Sequence, residues 1–166
     1  MQRFLILFAV LLMTVSPALG NEYFAKAKQS FADEKYNKAQ KYLKKILKNE
    51  PENISALCLL ADIYAAQQKF KTAITILKDL NKKWPDDVSI LAGLGQVYFR
   101  GEYYRDSAAI YESVLEKESG NVKALYMVGM NKALCMDLDE AYSVYRRLKK
   151  TDEKLAANLL HQIQGY

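Results

Sequence analysis

The stretch Leu59–Ile74, LLADIYAAQQKFKTAI, is apolar enough to lie in a protein core. It nevertheless has alanine at Ala61 and Ala73, where packed interiors usually have leucine, and the large side chains of Tyr64 and Phe70 lie between them. Small residues at fixed places let two elements approach closely, while large neighbours fill the space beside the contact. The stretch therefore predicts two closely packed elements joined by a short turn.

The pattern of this stretch repeats every 34 residues along the chain. One column of small residues is Ala39, Ala73, Ser107 and Ala141, and a second is Ala27, Ala61, Gly95 and Gly129. Four columns of large apolar residues keep the same interval: Tyr23, Leu57, Leu91, Leu125; Tyr36, Phe70, Tyr104, Leu138; Leu43, Leu77, Tyr111, Tyr145; and Ile46, Leu80, Val114, Leu148. A fixed interval of this size indicates a stack of repeated units.

Each unit is predicted to be a helical hairpin. Apolar residues recur at helical spacing before and after AAQQK, residues 65–69, which is too short for anything but a tight turn. Each helix should have about 14 residues and be about 20 Å long. Pro51 and Pro85 should stop the second helix of a unit, and Asn53, Asp87 and Asn121 lie where an N-cap would begin the next unit.

This order of large, small and aromatic positions resembles the tetratricopeptide repeat family. The resemblance implies an all-α solenoid of four tetratricopeptide-like hairpins, wound as a right-handed superhelix. The repeats would be 20–53, 54–87, 88–121 and 122–155, so that residues 21–155 form the solenoid. Residues 151–166, with Thr151 as cap, carry Leu155, Leu159 and Ile163 on one face and predict a C-terminal capping helix.

The first 20 residues have the order of a secretory signal peptide. A positive charge at Arg3 precedes an apolar run from Phe4 to Val15, and the segment ends on Ala18-Leu19-Gly20. We therefore expect residues 1–20 to be removed by cleavage near Gly20, and the protein to be periplasmic or secreted. The alternative is a retained membrane anchor, although Pro17 ends the apolar run early.

Net charge and cysteine content further limit the kinds of partner and covalent link that the sequence predicts. Residues 21–166 carry 23 basic and 19 acidic residues, a net charge of +4 that is too mild to indicate a nucleic-acid partner. Cys58 and Cys135 belong to the second and fourth repeats. With a whole repeat between them, they should lie beyond disulfide reach and remain separate thiols.

The sequence offers little convergent chemistry, so we expect no catalytic residues. The single histidine, His161, has no acid–base partner near it in the sequence. No metal-ligand spacing, glycine-rich phosphate loop or serine elbow occurs. The chain is thus predicted not to be an enzyme and to need no cofactor or metal.

The resemblance implies that a partner peptide or helix lies in a concave groove lined by the first helix of each repeat. The corresponding residues are Phe24, Lys28 and Phe31; Cys58, Asp62 and Ala65; Ala92, Gln96 and Phe99; and Tyr126, Met130 and Ala133. A family subclass clamps a terminal carboxylate with lysine and asparagine at such positions. Phe24, Lys28, Ala92 and Gln96 do not reproduce that clamp.

Two interpretations of the groove aromatics remain open at this point. Phe31, Phe99 and Tyr126 either anchor an apolar segment of a partner or fill gaps between adjacent repeats.

The second helix of the first repeat also carries a basic patch, Lys38, Lys41, Lys45 and Lys48, at helical spacing. The patch either contacts an anionic partner, such as a membrane surface, or is an ordinary solvated face.

The sequence therefore predicts an exported, non-catalytic adaptor that binds a protein partner of unknown identity. A bacterial periplasmic adaptor in envelope complex assembly fits by family analogy. A eukaryotic secretory route remains open, as does the choice between monomer and homo-oligomer. The rival functions are a self-associating structural protein and an accessory subunit of an enzyme.

Overall fold

The computed structural model describes residues 17–85 and 87–165. Within these ranges the chain forms nine helices and no strand, so the fold class is all-α as expected. The helices are α1 (Pro17–Ala32), α2 (Tyr36–Asn49), α3 (Ile54–Ala66), α4 (Phe70–Lys83), α5 (Val88–Arg100), α6 (Tyr104–Lys117), α7 (Val122–Leu134), α8 (Leu138–Leu148) and α9 (Glu153–Gln164).

The helices pack in chain order as a solenoid. Each odd-numbered helix from α1 to α7 packs on the helix that follows it, and each even-numbered helix packs on the first helix of the next hairpin. The first helices also touch one another, α1 with α3 and α3 with α5, while α9 packs on α7 and α8. Helices α3, α5 and α7 begin at the residues where the second, third and fourth repeats were expected to begin.

The N-terminal segment is described only from Pro17 onward. The expected cleavage point near Gly20 lies inside α1, and most of the expected signal peptide lies outside the described residues. In the part of the chain that the structure describes, no helix is both long and apolar enough to cross a bilayer.

Side chains cap the helices that open the second, third and fourth hairpins. Asn53 Oδ1 accepts a hydrogen bond from Ala56 N at 2.9 Å, and Asn121 Oδ1 accepts one from Ala124 N at 2.9 Å. Asp87 Oδ1 accepts from Ser89 N at 2.8 Å and from Ile90 N at 3.1 Å. The three predicted N-caps are therefore confirmed, because each satisfies amide groups that the helix itself leaves free.

The cap predicted for the last helix was wrong by one residue. Asp152 caps α9, since its Oδ1 accepts a hydrogen bond from Leu155 N at 2.9 Å. The Thr151 hydroxyl instead donates to Leu148 O at 3.2 Å. Thr151 thus belongs to the turn that ends α8.

The turn inside every hairpin has the same geometry. The second of the three residues between the two helices lies in the left-handed region, with φ of 58° at Glu34, 60° at Gln68, 64° at Glu102 and 63° at Met136. In the second hairpin, Lys69 N donates to Tyr64 O at 2.8 Å and Gln68 N donates to Ala65 O at 3.0 Å. These two bonds define a Schellman motif, and the other three hairpins make the equivalent pair.

The small columns lie where helices meet. Ala27, Ala39, Ala61 and Ala73 are all fully buried. A Cβ added to Gly95 would lie 2.8 Å from Tyr111 Cε2, a distance that real Cβ atoms essentially never show. Close helix approach therefore explains the small residues in the opening stretch and in its repeats.

Both ends of the described stack are polar on their outer sides. The outward side chains of α1 include Glu22, Lys26 and Gln29, and Glu22 forms an ion pair with Lys26. Helix α9 buries Ala156, Leu159 and Ile163 against the last hairpin. Its exposed residues are Glu153, Lys154, Ala157, Asn158, His161 and Gln164. Apart from Leu19, which is 37% exposed on α1, the outward residues described at both ends are polar or small.

Candidate protein-binding groove

The twelve residues predicted for a groove all lie on the first helices of the hairpins, three each on α1, α3, α5 and α7. The contacts of α1 with α3 and of α3 with α5 bring the rows on these three helices next to one another. Ten of the twelve retain exposed side-chain surface. These ten, termed the groove surface below, are Phe24, Lys28, Phe31, Cys58, Asp62, Ala92, Gln96, Phe99, Tyr126 and Met130.

Ala65 and Ala133 do not belong to that surface. Ala65 is 1% exposed and Ala133 is 0% exposed, so neither offers a side chain to a partner. Ala65 packs in the core cluster between the second and third hairpins, and Ala133 packs in the cluster of the third and fourth. Both were predicted as lining residues, and their burial corrects that assignment.

The two phenylalanines at the ends of the first helices contact their own hairpins. The Phe31 ring lies 6.0 Å from the Tyr36 ring, and the Phe99 ring lies 5.7 Å from the Tyr104 ring in an edge-to-face arrangement. Each phenylalanine therefore braces the turn that follows it. Both remain half-buried, so part of each ring stays exposed to solvent.

The centre of the groove surface is weakly polar. Cys58 and Asp62 lie one turn apart on α3, and both are half-buried. Burial, with the nearby carboxylates of Asp62 and Asp87, raises the pKa of the Cys58 thiol to about 11. Burial also raises the pKa of Asp62, against the opposite effect of the Arg100 guanidinium. A raised pKa favours the protonated form of the Cys58 thiol near neutral pH, and the thiol is a weaker nucleophile than the thiolate.

Phe24 is the groove residue that lines a defined pocket. This pocket has a volume of about 420 Å³ and lies between the start of α1 and the loop that leads into α3. Its other lining residues are Gly20, Asn21, Ile46, Glu50, Asn53 and Ser55. Because Asn53 caps α3 and donates to Glu50 Oε2 at 2.6 Å, its amide is already occupied within the chain.

The predicted basic patch lies on the outer side of α2. Lys38, Lys41, Lys45 and Lys48 are all exposed, and Lys45 Nζ lies 4.7 Å from the centre of the Tyr23 ring. Lys44, which the sequence analysis did not include, is exposed on the same helix. Lys44 lies three residues after Lys41 and four before Lys48, and this helical spacing could have assigned it to the patch.

Lys132 was not among the residues that the sequence analysis singled out, and the structure gives it a role. Its Nζ lies 3.2 Å from Glu112 Oε1 and 2.6 Å from Glu140 Oε2. It therefore ties α7 to both α6 and α8, and hydrogen bonding to these carboxylates raises its pKa. Neither partner is close in sequence, so the spacing alone could not predict this bridge.

The remaining reactive groups do not converge. Cys58 and Cys135 are free thiols, and His161 is exposed on α9. Over residues 17–85 and 87–165, no group of three or more His, Cys, Asp or Glu side chains is placed to hold a metal ion.

Comparison with known proteins finds a repeat family that matches part of the chain. A family model described as Tetratricopeptide repeat matches residues 30–97, which extend from the first hairpin into the third. The fourth hairpin continues the same helix spacing and turn geometry. This match supports the resemblance to the tetratricopeptide repeat family over residues 30–97. No curated protein matches it.

Solved tetratricopeptide repeat structures share the fold. A repeat protein from Parabacteroides merdae ATCC 43184 superposes with a TM-score of 0.71 at 18% identity, over 89% of this chain and 61% of that one. MamA gives a TM-score of 0.67 at 17% identity, over 89% of this chain and 85% of that one. YrrB, described as having an unusual peptide-binding site, gives 0.67 at 18% identity, over 85% and 72%. Identities this low support the fold alone.

A tetratricopeptide repeat solenoid is a protein–protein interaction scaffold and is typically non-catalytic. The chain therefore has the fold of a scaffold that binds a protein partner.

Proposed function

We propose that this protein is an exported adaptor that holds an apolar or amphipathic segment of a partner protein on the groove surface. The proposed compartment is the periplasm or the secretory space, reached after removal of residues 1–20. An adaptor of this kind suits the assembly of an envelope complex. That last step rests on analogy with the family.

The observation that carries the proposal is the composition of the groove surface on α5 and α7. Phe99, Tyr126 and Met130 are half-buried there, so they already have a fixed position and still present apolar surface. Gln96 is exposed one turn before Phe99 on α5 and supplies a polar group. Partly buried aromatic and aliphatic side chains with a few polar neighbours are typical of surfaces that receive a peptide or a helix.

The first experiment identifies the partner. Crosslinking in the native compartment followed by mass spectrometry should give one dominant partner, whose crosslinks fall on α1, α3, α5 or α7. The captured segment is then synthesised and its affinity for the purified protein is measured.

The second experiment tests the surface with Phe99→Glu combined with Tyr126→Glu. Charged groups in place of the rings should weaken binding of the synthetic segment by at least about tenfold, because two apolar anchors are lost. The matched control is Met136→Glu with Tyr142→Glu, which changes two exposed apolar residues outside the groove surface. The control should bind like the wild type.

Folding is checked separately, since Phe99 also braces Tyr104. The helical circular-dichroism signal and the melting temperature identify a variant that has unfolded. Lys28→Glu with Gln96→Arg alters only exposed positions of the same surface, so it should keep the fold and still weaken binding. Unchanged affinity in both folded double variants would show that the partner does not use this surface.

Light scattering separates the adaptor from a self-associating structural protein. The polar outer sides of α1 and α9 favour a monomer until the partner is added. An oligomer that persists without the partner would support the structural alternative. A partner enzyme whose activity changes on mixing would instead support the role of an accessory subunit.

A further inference from the structure

The solvent face of α2 consists almost entirely of lysine. Ala39, Leu43 and Ile46 are buried on one side of this helix. At 100° per residue, the opposite third of its circumference holds five lysines and Asn37, all of them exposed. The five, termed the lysine face below, are Lys38, Lys41, Lys44, Lys45 and Lys48. They extend over about 15 Å of helix.

The other hairpins show that the fold does not require lysine at these places. The corresponding residues of α4 are Thr72, Thr75, Lys78, Asp79 and Lys82; those of α6 are Asp106, Ala109, Glu112, Ser113 and Glu116; and those of α8 and its end are Glu140, Ser143, Arg146, Arg147 and Lys150. These faces carry net charges of +1, −3 and +2, against +5 for α2. The corresponding faces of the other second helices therefore combine charged and neutral side chains, whereas the face of α2 carries five lysines.

Neighbouring carboxylates offset little of the positive charge of the lysine face. The pKa of Asp33 is lowered by hydrogen bonds from Lys35 and Gln29 and, to a smaller extent, by the charges of Lys35 and Lys38. Helix α2 has no acidic residue, and the ion pairs found among the described residues include none of its five lysines. On the adjacent segments, Glu22 is paired with Lys26, and Asp33 is paired with Lys35. Lys45 lies over the Tyr23 ring, a contact that leaves its charge intact.

The chemistry of the lysine face favours a diffuse anionic surface over one shaped ligand. Lysine acts as a flexible point charge, whereas arginine provides the planar fork that suits specific phosphate or carboxylate contacts, and α2 contains no arginine. The exposed positions of the face also carry no apolar side chain that could anchor a protein partner.

We propose that the lysine face docks the protein onto a membrane surface that carries anionic phospholipid headgroups. Because the opposite side of α2 packs on α1 and α3, this orientation turns the first helices away from the bilayer. The groove surface then stays accessible while the protein is bound to lipid. The proposal goes beyond the peptide-binding function and does not depend on it.

The test measures binding of the full chain to phosphatidylcholine vesicles with and without phosphatidylglycerol, at low and high salt. Wild-type protein should bind the anionic vesicles more strongly, and added salt should release it, since salt screens surface charges. Replacement of all five lysines by glutamine should lower the anionic-dependent binding by at least about tenfold, because each lysine near such a surface contributes about 1 kcal/mol. Glutamine has a similar helix propensity, so α2 should persist.

A charge-matched control variant replaces five exposed lysines elsewhere with glutamine: Lys71, Lys123, Lys149, Lys150 and Lys154. It loses the same net charge and should keep most of the binding. The N-terminal residues, which include Arg3, are the same in all three proteins, so their contribution to vesicle binding is equal. The measured quantity is therefore the difference in anionic-dependent binding between the wild type and each five-lysine variant.

Three results would overturn the proposal. The first is no binding to anionic vesicles even at low salt. The second is an equal loss of binding in both five-lysine variants, which would indicate net charge alone. The third is tight binding to soluble polyglutamate without binding to vesicles, which would assign the lysine face to an acidic protein partner.

Discussion

Glycine occurs at position 95 because the Tyr111 ring occupies the space that a methyl group would need. The first two hairpins have alanine at this position, in Ala27 and Ala61, and leucine where the third has Tyr111. Tyr111 is 2% exposed, and its hydroxyl donates to Ala92 O at 3.3 Å. The third hairpin thus combines a smaller residue on one helix with a larger one on the other.

The variant Gly95→Ala tests this combination of a small residue at position 95 with a large one at position 111. The added Cβ would press on a buried ring, and overpacking of this kind should lower the free energy of unfolding by about 1–3 kcal/mol. Tyr111→Leu added to Gly95→Ala recreates the pair present in the second hairpin and should recover most of that loss. Denaturant unfolding measures both effects, and a double variant no more stable than Gly95→Ala would contradict the explanation.

The column of small residues was evident in the sequence, but the choice between alanine and glycine was not. The choice depends on which side chain faces the position, and Tyr111 lies 16 residues away on the next helix. Asn131 was missed for a similar reason. It is fully buried, yet its partner Ser107 belongs to the previous hairpin.

At the scale of single elements, each hairpin turn holds one residue in a strained left-handed conformation that its residue type does not reveal. A left-handed residue after a helix is usually glycine, because an L side chain is strained there. This chain instead has Glu34, Gln68, Glu102 and Met136 at the four positions. Asn53, Asp87 and Asn121 were predictable as caps from their residue type, whereas the left-handed turn residues carried no such signal.

Gln68→Gly should stabilise the protein by about 0.5–1 kcal/mol, because relief of the left-handed strain outweighs the greater freedom of glycine in the unfolded chain. Gln68 is exposed, so no packing contact is lost. Gln68→Ala serves as the control, since alanine keeps the strain and should give no gain. Thermal unfolding followed by circular dichroism distinguishes the two, and equal melting temperatures would count against the strain.

At the scale of the whole molecule, the stack is not uniform between its third and fourth hairpins. Asn131 Nδ2 donates to Ser107 Oγ at 3.0 Å, and Ser107 Oγ donates to Gly95 O at 2.8 Å. Asn131 Oδ1 is buried and receives no hydrogen bond from the described residues. The same inter-hairpin positions are apolar elsewhere, with Val97 and Ala73 between the second and third hairpins.

Ser107→Ala with Asn131→Val would place that apolar pair at the last interface. Replacement of both hydrogen-bonding partners by apolar groups is often neutral or stabilising, so the double variant should lie within about 1 kcal/mol of the wild type or above it. Urea unfolding gives the comparison. A loss well beyond that range would show that the polar pair is needed to join the two hairpins.

The solenoid could be predicted from the sequence because the residues that repeat every 34 positions are those that pack within one hairpin or against the next. The residues of the groove surface could be predicted less completely from the sequence. Ala65 and Ala133 share the offset of Phe31 and Phe99 but are buried, since equal register does not ensure equal exposure.

Because the outer sides of α1 and α9 are largely polar, these two helices offer little apolar surface on which a further hairpin could pack. A copy of residues 54–87 inserted between the second and third hairpins would meet the same kind of apolar neighbours on both sides. A copy appended after Gln164 would meet a charged helix. Any lengthening of this protein by gene duplication should therefore occur inside the array, where a tandem insertion preserves both terminal helices.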